Sequence, residues 1–185
     1  ADLDRIDRQA RTGKPRFNIG MRLFDFRDGE KFEYQLNAEG SPQGQLLINV
    51  NRISGSELQL TIHAQLGAMS LDREVKYTAV FGSREVLGDS IADNDLGRRL
   101  AALLFPSDPA QPGPAECSGT SSEFGGHLRR LTTGGTQCVN GELPLPISAD
   151  SSSPNVRLVA KLVRYNPPAD STPARPEAHP SPTRE

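Results

Sequence analysis

The chain has 185 residues, a formal net charge of −2 and a hydrophobic share of 35%. This length suits a single domain with a proper core. The balanced charge argues against a nucleic-acid or anionic-membrane surface, which would need a strong basic excess. No stretch approaches the roughly 18 consecutive apolar residues of a membrane span. We therefore expect no nucleic-acid partner and no transmembrane segment in this chain.

The N-terminal residues have a helical rather than an alternating pattern. Residues 1–13 place apolar residues at helical spacing among Asp and Arg and end at Gly13, which predicts a short helical lead-in. From Phe17 to Leu23 the period becomes two. That change predicts the first strand of a single antiparallel β domain over residues 14–165.

The longest regular pattern runs from Gly29 to Leu66, where apolar and polar residues alternate in three runs. Polar turns at residues 40–42 and 54–56 separate the runs, and Arg73 to Phe81 reads as a further strand. The pattern predicts an antiparallel meander with one apolar face. That face is either ordinary core or the lining of a pocket for a hydrophobic ligand such as a lipid acyl chain. Its candidate ligand-contacting residues are Phe32, Tyr34, Leu36, Ile48, Val50, Leu60, Ile62 and Tyr77.

The most helix-like run is Leu100 to Leu104, within a predicted helix near residues 90–105. Asp89 or Ser90 is its expected N-cap, Pro106 ends it, and Gly97 is expected to weaken it. Such a helix would cover the apolar face. The predicted fold class is mainly β (α+β): a curved antiparallel sheet or half-barrel of about six to eight strands packed on one main helix.

The C-terminal third contains most of the prolines. Residues 106–116 form a proline-rich surface connection, and prolines within Glu142–Ile147 predict a short strand at a sheet edge. Val156–Tyr165 reads as the last strand. Residues 166–185 carry six prolines and no apolar residue larger than Ala, which predicts a disordered tail or a spacer.

Two cysteines, Cys117 and Cys138, bound a Gly/Ser/Thr-rich loop. A metal site would need more ligands nearby, and a redox pair would need CxxC spacing. We expect a disulfide, worth about 3 kcal/mol in the chain-entropy model, with two reduced thiols as the alternative. A disulfide implies an oxidising compartment, periplasmic or extracellular, with a signal peptide already removed.

Reactive side chains form no recognisable catalytic pattern. His63, His127 and His179 lack metal-ligand spacing. Ser121 with His127 could form a hydrolase pair, although no GxSxG elbow surrounds the serine and a flexible loop is the preferred interpretation.

Two further clusters also favour a structural interpretation. Asp25, Asp28 and Glu30 do not match the spacing of a calcium-binding loop and are interpreted as surface ion pairs. The glycine pairs at 125–126 and 134–135 lack a P-loop lysine and are expected to serve turns. The sequence predicts no enzyme, no cofactor and no metal.

The start of the meander resembles a family of exported bacterial domains of unknown function. The matching residues are Gly29, Glu30, Phe32, Tyr34, Leu36, Gly44, Leu46, Ile48 and Val50, within about forty residues of alternating pattern. Those domains look like the half-barrel of lipoprotein carriers, a curved antiparallel sheet wrapped around helices. The cysteine loop and the Pro-Leu-Pro segment have no counterpart in them. The resemblance implies an exported location and an affinity for lipid, without catalytic residues.

These observations together predict a non-enzymatic structural or binding subunit of a bacterial cell-envelope assembly, with one or more protein partners. The alternative is a carrier or sensor of a hydrophobic ligand within the half-barrel. A hydrolase that uses the serine- and histidine-containing loop ranks third.

Overall fold

The computed structural model describes residues 26–55, 57–78, 83–106, 111–118, 124–132, 134–151 and 157–168. The predicted N-terminal lead-in and the strand from Phe17 to Leu23 lie outside these residues, as do Ser121, His179 and the tail from residue 169. The predictions made for them stay predictions.

The described part of the chain is mainly β. It forms one open, fully antiparallel sheet of nine strands in the order β4-β3-β2-β1-β9-β8-β7-β6-β5. The strands are β1 Lys31–Ala38, β2 Gly44–Ser54, β3 Glu57–Leu66, β4 Met69–Thr78, β5 Glu116–Ser118, β6 Gly125–Arg130, β7 Thr136–Val139, β8 Ser148–Asp150 and β9 Leu158–Asn166. The first three confirm the predicted meander.

Two helices follow β4, α1 at Ser83–Ile91 and α2 at Asp95–Leu104. Asn94 caps α2, since its Oδ1 accepts a hydrogen bond of 2.7 Å from the backbone N–H of Gly97. The last turn is closed by Phe105 N–H, which donates to Ala101 O at 2.9 Å. The helices cover one face of the sheet and bury Leu87, Ile91, Leu96, Leu100, Leu103 and Leu104.

The core follows directly from the period-two pattern. Alternate residues of β1, β2 and β3 are buried, and the residues between them face solvent or lie at intermediate depth. Phe26 extends this core ahead of β1, with its ring edge-on to Phe32 and Tyr77 at centroid distances of 6.0 and 5.2 Å. The predicted apolar face is therefore confirmed, and the helices lie over it.

Several finer predictions differ from the structure. The described residues contain nine strands and two helices, against the expected six to eight strands and one main helix, and a half-barrel is not confirmed. Asp89 and Ser90 lie inside α1 rather than at a cap. Gly97 is not a weakness: an added Cβ would lie 1.7 Å from Ile91 O, so glycine is what lets α2 begin so close to the end of α1.

β4 begins four residues before the predicted Arg73. A two-residue turn joins it to β3, with Gly67 at φ +59° in its first central position, a conformation that glycine adopts readily. The predicted strand is confirmed from Arg73 to Thr78, its last predicted residues lie outside the described ranges, and the structure extends it back to Met69.

The predicted edge strand at Glu142–Ile147 is wrong. This segment has no strand conformation, and Leu143 to Ile147 are buried. Pro146 O accepts a hydrogen bond of 2.6 Å from the hydroxyl of buried Tyr34. The prolines are tolerated because the segment packs on the core as irregular chain, and the short β8 that follows lies inside the sheet, between β7 and β9.

Cys117 and Cys138 form a disulfide, as predicted, between β5 and β7. Their Cα atoms are 6.0 Å apart although β6 runs between the two strands. Gly126 of β6 makes this closeness feasible, since an added Cβ would lie 2.4 Å from Val139 O and 3.4 Å from the sulfur of Cys138. The described residues of the expected loop therefore include three short strands that extend the sheet.

Candidate binding face

The side of the sheet away from the helices is called here the outer face. Its side chains are polar or only partly buried, and they alternate along each strand with the buried residues of the opposite face. At its centre are Glu33, Gln35, Gln45, Leu47, His63, Gln65, Lys161 and Val163.

Side-chain amides line a cleft of roughly 450 Å³ on this face. The strand register places Gln35 opposite Gln45 and Gln45 opposite Gln65, so one amide row crosses three strands. Gly44 closes the row at the start of β2, where an added Cβ would lie 2.2 Å from Gln65 O. The result is a donor- and acceptor-rich groove with little charge.

A β-bulge adds an apolar side chain to the same cleft. The pairing of β1 with β9 shifts between Glu33 and Tyr34, which leaves Val163 without a partner in the ladder. Val163 is 37% exposed and lies against the cleft. A partner that binds here would meet amides on one side and an aliphatic surface on the other.

One ion pair and one histidine–carboxylate pair lie beside the cleft. Arg164 Nε lies 3.8 Å from Glu33 Oε2, and His63 Nδ1 pairs with Asp72 Oδ1. Both pairs are largely solvated, so each contributes about 0–1 kcal/mol at most. They therefore add little to the stability of the fold.

Two other clefts lie elsewhere in the described residues. One, of roughly 430 Å³, is lined by Gly125, Gly126 and His127 near the disulfide. Ser121, the proposed hydrolase partner of His127, lies outside the described residues. His127 stands opposite Glu116 in the pairing of β5 with β6, a cross-strand position and not a nucleophile–base pair.

The second of these clefts, of roughly 710 Å³, includes Asp150 and Arg157. Arg157 donates to both carboxylate oxygens of Asp150, at 3.0 and 2.6 Å. The hydrogen bond, and then the attraction of the two charges, raises the pKa of Arg157 above its usual value. Arg157 therefore stays charged at every working pH.

The eight predicted ligand-contacting residues do come together. Each is at most 2% exposed, on the apolar face beneath the two helices: Phe32, Tyr34, Leu36, Ile48, Val50, Leu60, Ile62 and Tyr77. In this structure they pack as core, and their contact with a ligand stays a prediction.

Of the predicted acidic cluster, Asp25 lies outside the described residues, and Glu30 does not lie at the surface as expected. Glu30 is fully buried, with its carboxylate accepting from the Tyr165 hydroxyl and the Arg27 backbone N–H. Asp28 accepts from the backbone N–H of Arg52 at 2.9 Å. These two carboxylates fix the start of β1, and within the described ranges no group of three or more His, Cys, Asp or Glu side chains could hold a metal ion.

Sequence reasoning missed the amide cleft, because Gln35, Gln45 and Gln65 become neighbours only through the register of three strands. The available signal was that all three glutamines occupy polar positions of alternating runs. Among the helices of the described chain, none is long and apolar enough to span a bilayer. Comparisons of the chain with protein-family models, with curated proteins and with solved structures find no match.

Proposed function

We propose that this domain is a non-enzymatic structural or binding subunit of a bacterial cell-envelope assembly and that a protein partner binds its outer face. The observation that carries the proposal is the contrast between the two faces of the sheet. Helices fill the apolar face, while the outer face keeps an amide-lined cleft beside the exposed Val163. Amides in such a row can bind the backbone or polar side chains of a partner without the desolvation cost of charges.

The disulfide supports the location of this assembly. Cys117 and Cys138 tie β5 to β7, and structural disulfides form mainly in oxidising compartments. We therefore propose that the domain lies in the periplasm or at the cell surface. Thiol labelling in intact cells tests this: both cysteines should resist labelling until a reductant is added, and free thiols in the native cell would contradict the location.

Site-specific photocrosslinking tests the outer face in the bacterium that carries the protein. A photoreactive residue at Gln45 should capture the same partner that is lost when Gln35 is replaced by Arg. The matched control is a photoreactive residue at Arg98, an exposed position on α2 on the other side of the sheet. Equal capture from both positions, or capture that survives Gln35→Arg, would contradict the proposal.

The alternative proposal is a carrier or sensor of a hydrophobic ligand in a half-barrel. It is supported by the contiguous apolar face and by α2, which contacts β4 and also β8 although β3, β2, β1 and β9 separate those strands. In this alternative the helices move aside for an acyl chain. Uptake of a fluorescent fatty acid by the delipidated protein would support this alternative. An unchanged melting temperature of the protein in excess fatty acid would contradict it.

A further inference from the structure

β4 is one edge of the sheet, and its backbone is guarded along only half of its length. In a two-residue hairpin the residues that flank the turn form the first hydrogen-bonded pair, and paired positions then alternate. Leu66 and Met69 are that pair, so the backbone groups of Ser70, Asp72, Glu74 and Lys76 point away from β3. Two contacts agree with this assignment.

Those contacts guard the first half of the edge. Asn94 Nδ2 donates to Ser70 O at 3.2 Å, and Arg73 Nη1 donates to Asp72 O at 2.7 Å. The guanidinium of Arg73 also pairs with Asp93. The turn between the helices therefore positions both side chains that cover this part of the edge, Asn94 and Arg73. These two outward carbonyls already accept hydrogen bonds and are therefore not available to pair with another strand.

The second half of the edge is open. The side chains of Glu74 and Lys76 are exposed, and within the described chain no hydrogen bond is seen to their outward backbone groups. Glu74 makes no ion pair with any described residue, and Lys76 Nζ has only Glu57 at 3.8 Å. An open, hydrogen-bonding edge with alternating charge is a site for strand addition.

We propose that this edge pairs with the same edge of a second copy of the chain, antiparallel about a two-fold axis at Val75. Strand polarity and charge both select this register. It places Glu74 of each copy opposite Lys76 of the second copy, so that two outward-pointing backbone positions meet and two opposite charges lie side by side. The guards at Ser70 and Asp72 stop the pairing from sliding toward the hairpin.

The exposed Val86 on α1 supports the same interface independently. Gly88 faces α2, where an added Cβ would lie 3.3 Å from Phe105 O, and Leu87 is buried. With 3.6 residues per turn, Val86 lies on nearly the opposite side of α1 from Gly88 and therefore points away from α2. It is 62% exposed, a larger fraction than the other exposed large apolar side chains of the described residues. Two such valines would flank the two-fold axis.

This interface does not depend on the amide cleft or on the envelope role. Since it consists of one short strand pairing and a small apolar contact, a dissociation constant of roughly 10 μM to 1 mM is expected. Sedimentation of the full chain over that concentration range should show the mass rising from 20.0 kDa toward twice that value. A mass that stays monomeric throughout overturns the proposal, even if the edge captures some other extended peptide.

Charge exchange makes the test specific. Glu74→Lys opposes two lysines at both symmetric positions and should weaken the dimer at least about tenfold. The double variant Glu74→Lys with Lys76→Glu should restore it. Lys161→Glu changes charge by the same amount on an interior strand and should have no effect on the dimer. Unchanged dimerisation of Glu74→Lys, or no rescue by the double variant, overturns the register.

Val86→Glu supplies a second route if a β4 variant fails to fold. It changes one exposed helix position and should also weaken the dimer about tenfold, because it replaces two apolar contacts with two like charges. A Val86→Glu dimer as tight as that of the unchanged chain overturns the assignment of α1 to the interface.

Discussion

The side chain of Asn94 joins α2 to β4, which makes it a sharp test of the structure. Its Oδ1 caps α2 at Gly97, and its Nδ2 binds the outward carbonyl of Ser70 on β4. A lost N-cap costs about 1 kcal/mol, and a partly exposed neutral hydrogen bond contributes about 0.5 kcal/mol. We therefore expect Asn94→Ala to lower the free energy of unfolding by about 1.5 kcal/mol.

Asn94→Ser separates the two roles. Serine is a good N-cap, but its side chain is too short to reach Ser70 O, so this variant should lose only about 0.5 kcal/mol. Urea unfolding followed by circular dichroism under non-reducing conditions measures both values. For a domain of this size, Asn94→Ala should lower the melting temperature by about 5 °C and Asn94→Ser by about 2 °C.

Two outcomes would refute this reasoning. If Asn94→Ser were as unstable as Asn94→Ala, the cap would contribute nothing and α2 would not begin where the structure places it. If neither variant differed from the unchanged chain, both hydrogen bonds would be absent in solution. A change in the slope of unfolding with urea would instead indicate an altered denatured state, so the comparison requires equal slopes.

Further predictions concern the core and the disulfide. Gly97→Ala should destabilise by at least about 2 kcal/mol despite the better helix propensity of alanine, since its Cβ would overlap the last carbonyl of α1; a stabilised variant would contradict this close approach. Cys117→Ser with Cys138→Ser should cost about 3 kcal/mol in urea unfolding, and an unchanged midpoint would contradict a structural disulfide. Tyr34→Phe should cost about 1–2 kcal/mol in thermal unfolding, because it leaves a buried carbonyl unpaired; no loss would contradict that hydrogen bond. Gln137→Leu should cost about 2–3 kcal/mol, since buried Gln137 bonds both the backbone of α2 and the buried Arg129; an equally stable variant would refute this link.

The meander was predictable because its information is local. Alternation in β1, β2 and β3 is a property of successive residues, and each buried position of these strands follows from it. Turn residues such as Gly40, with φ +75°, can also be recognised from the sequence. Element type and buried face could therefore be inferred before any contact was known.

The helical layer and the C-terminal third depend on contacts that the sequence does not display. Gly97 reads as a defect in a helix until Ile91 O is placed beside it. The prolines of Glu142–Ile147 excluded a central strand, as they should, but the pattern could not distinguish an edge strand from buried irregular chain. In both cases a tertiary contact decided the local conformation.

The candidate cleft depends on register in the same way. Alternation placed Gln35 on the outer face, but a slip of β2 by two residues would keep every buried position and remove the amide row. The register is fixed by the turns and by the close approach of Gly44 to Gln65 O. Gly44 thus helps to set the register that forms the cleft. Because it occupies an ordinary strand conformation, the sequence gives little indication of this role.

The two edges of the sheet bear on how assembly and binding can be separated. β5 has three residues, and a disulfide holds it, so it offers little backbone to a partner. β4 has ten residues and keeps only its first half guarded, by Asn94 and Arg73. Among the described strands, β4 is therefore the edge at which chains can join, while the outer face stays free.

Because the strand ladder continues across the two-fold axis, such a dimer would place two amide clefts on one continuous surface. A partner that binds both clefts would gain avidity, and Glu74→Lys should reduce its affinity without touching either cleft.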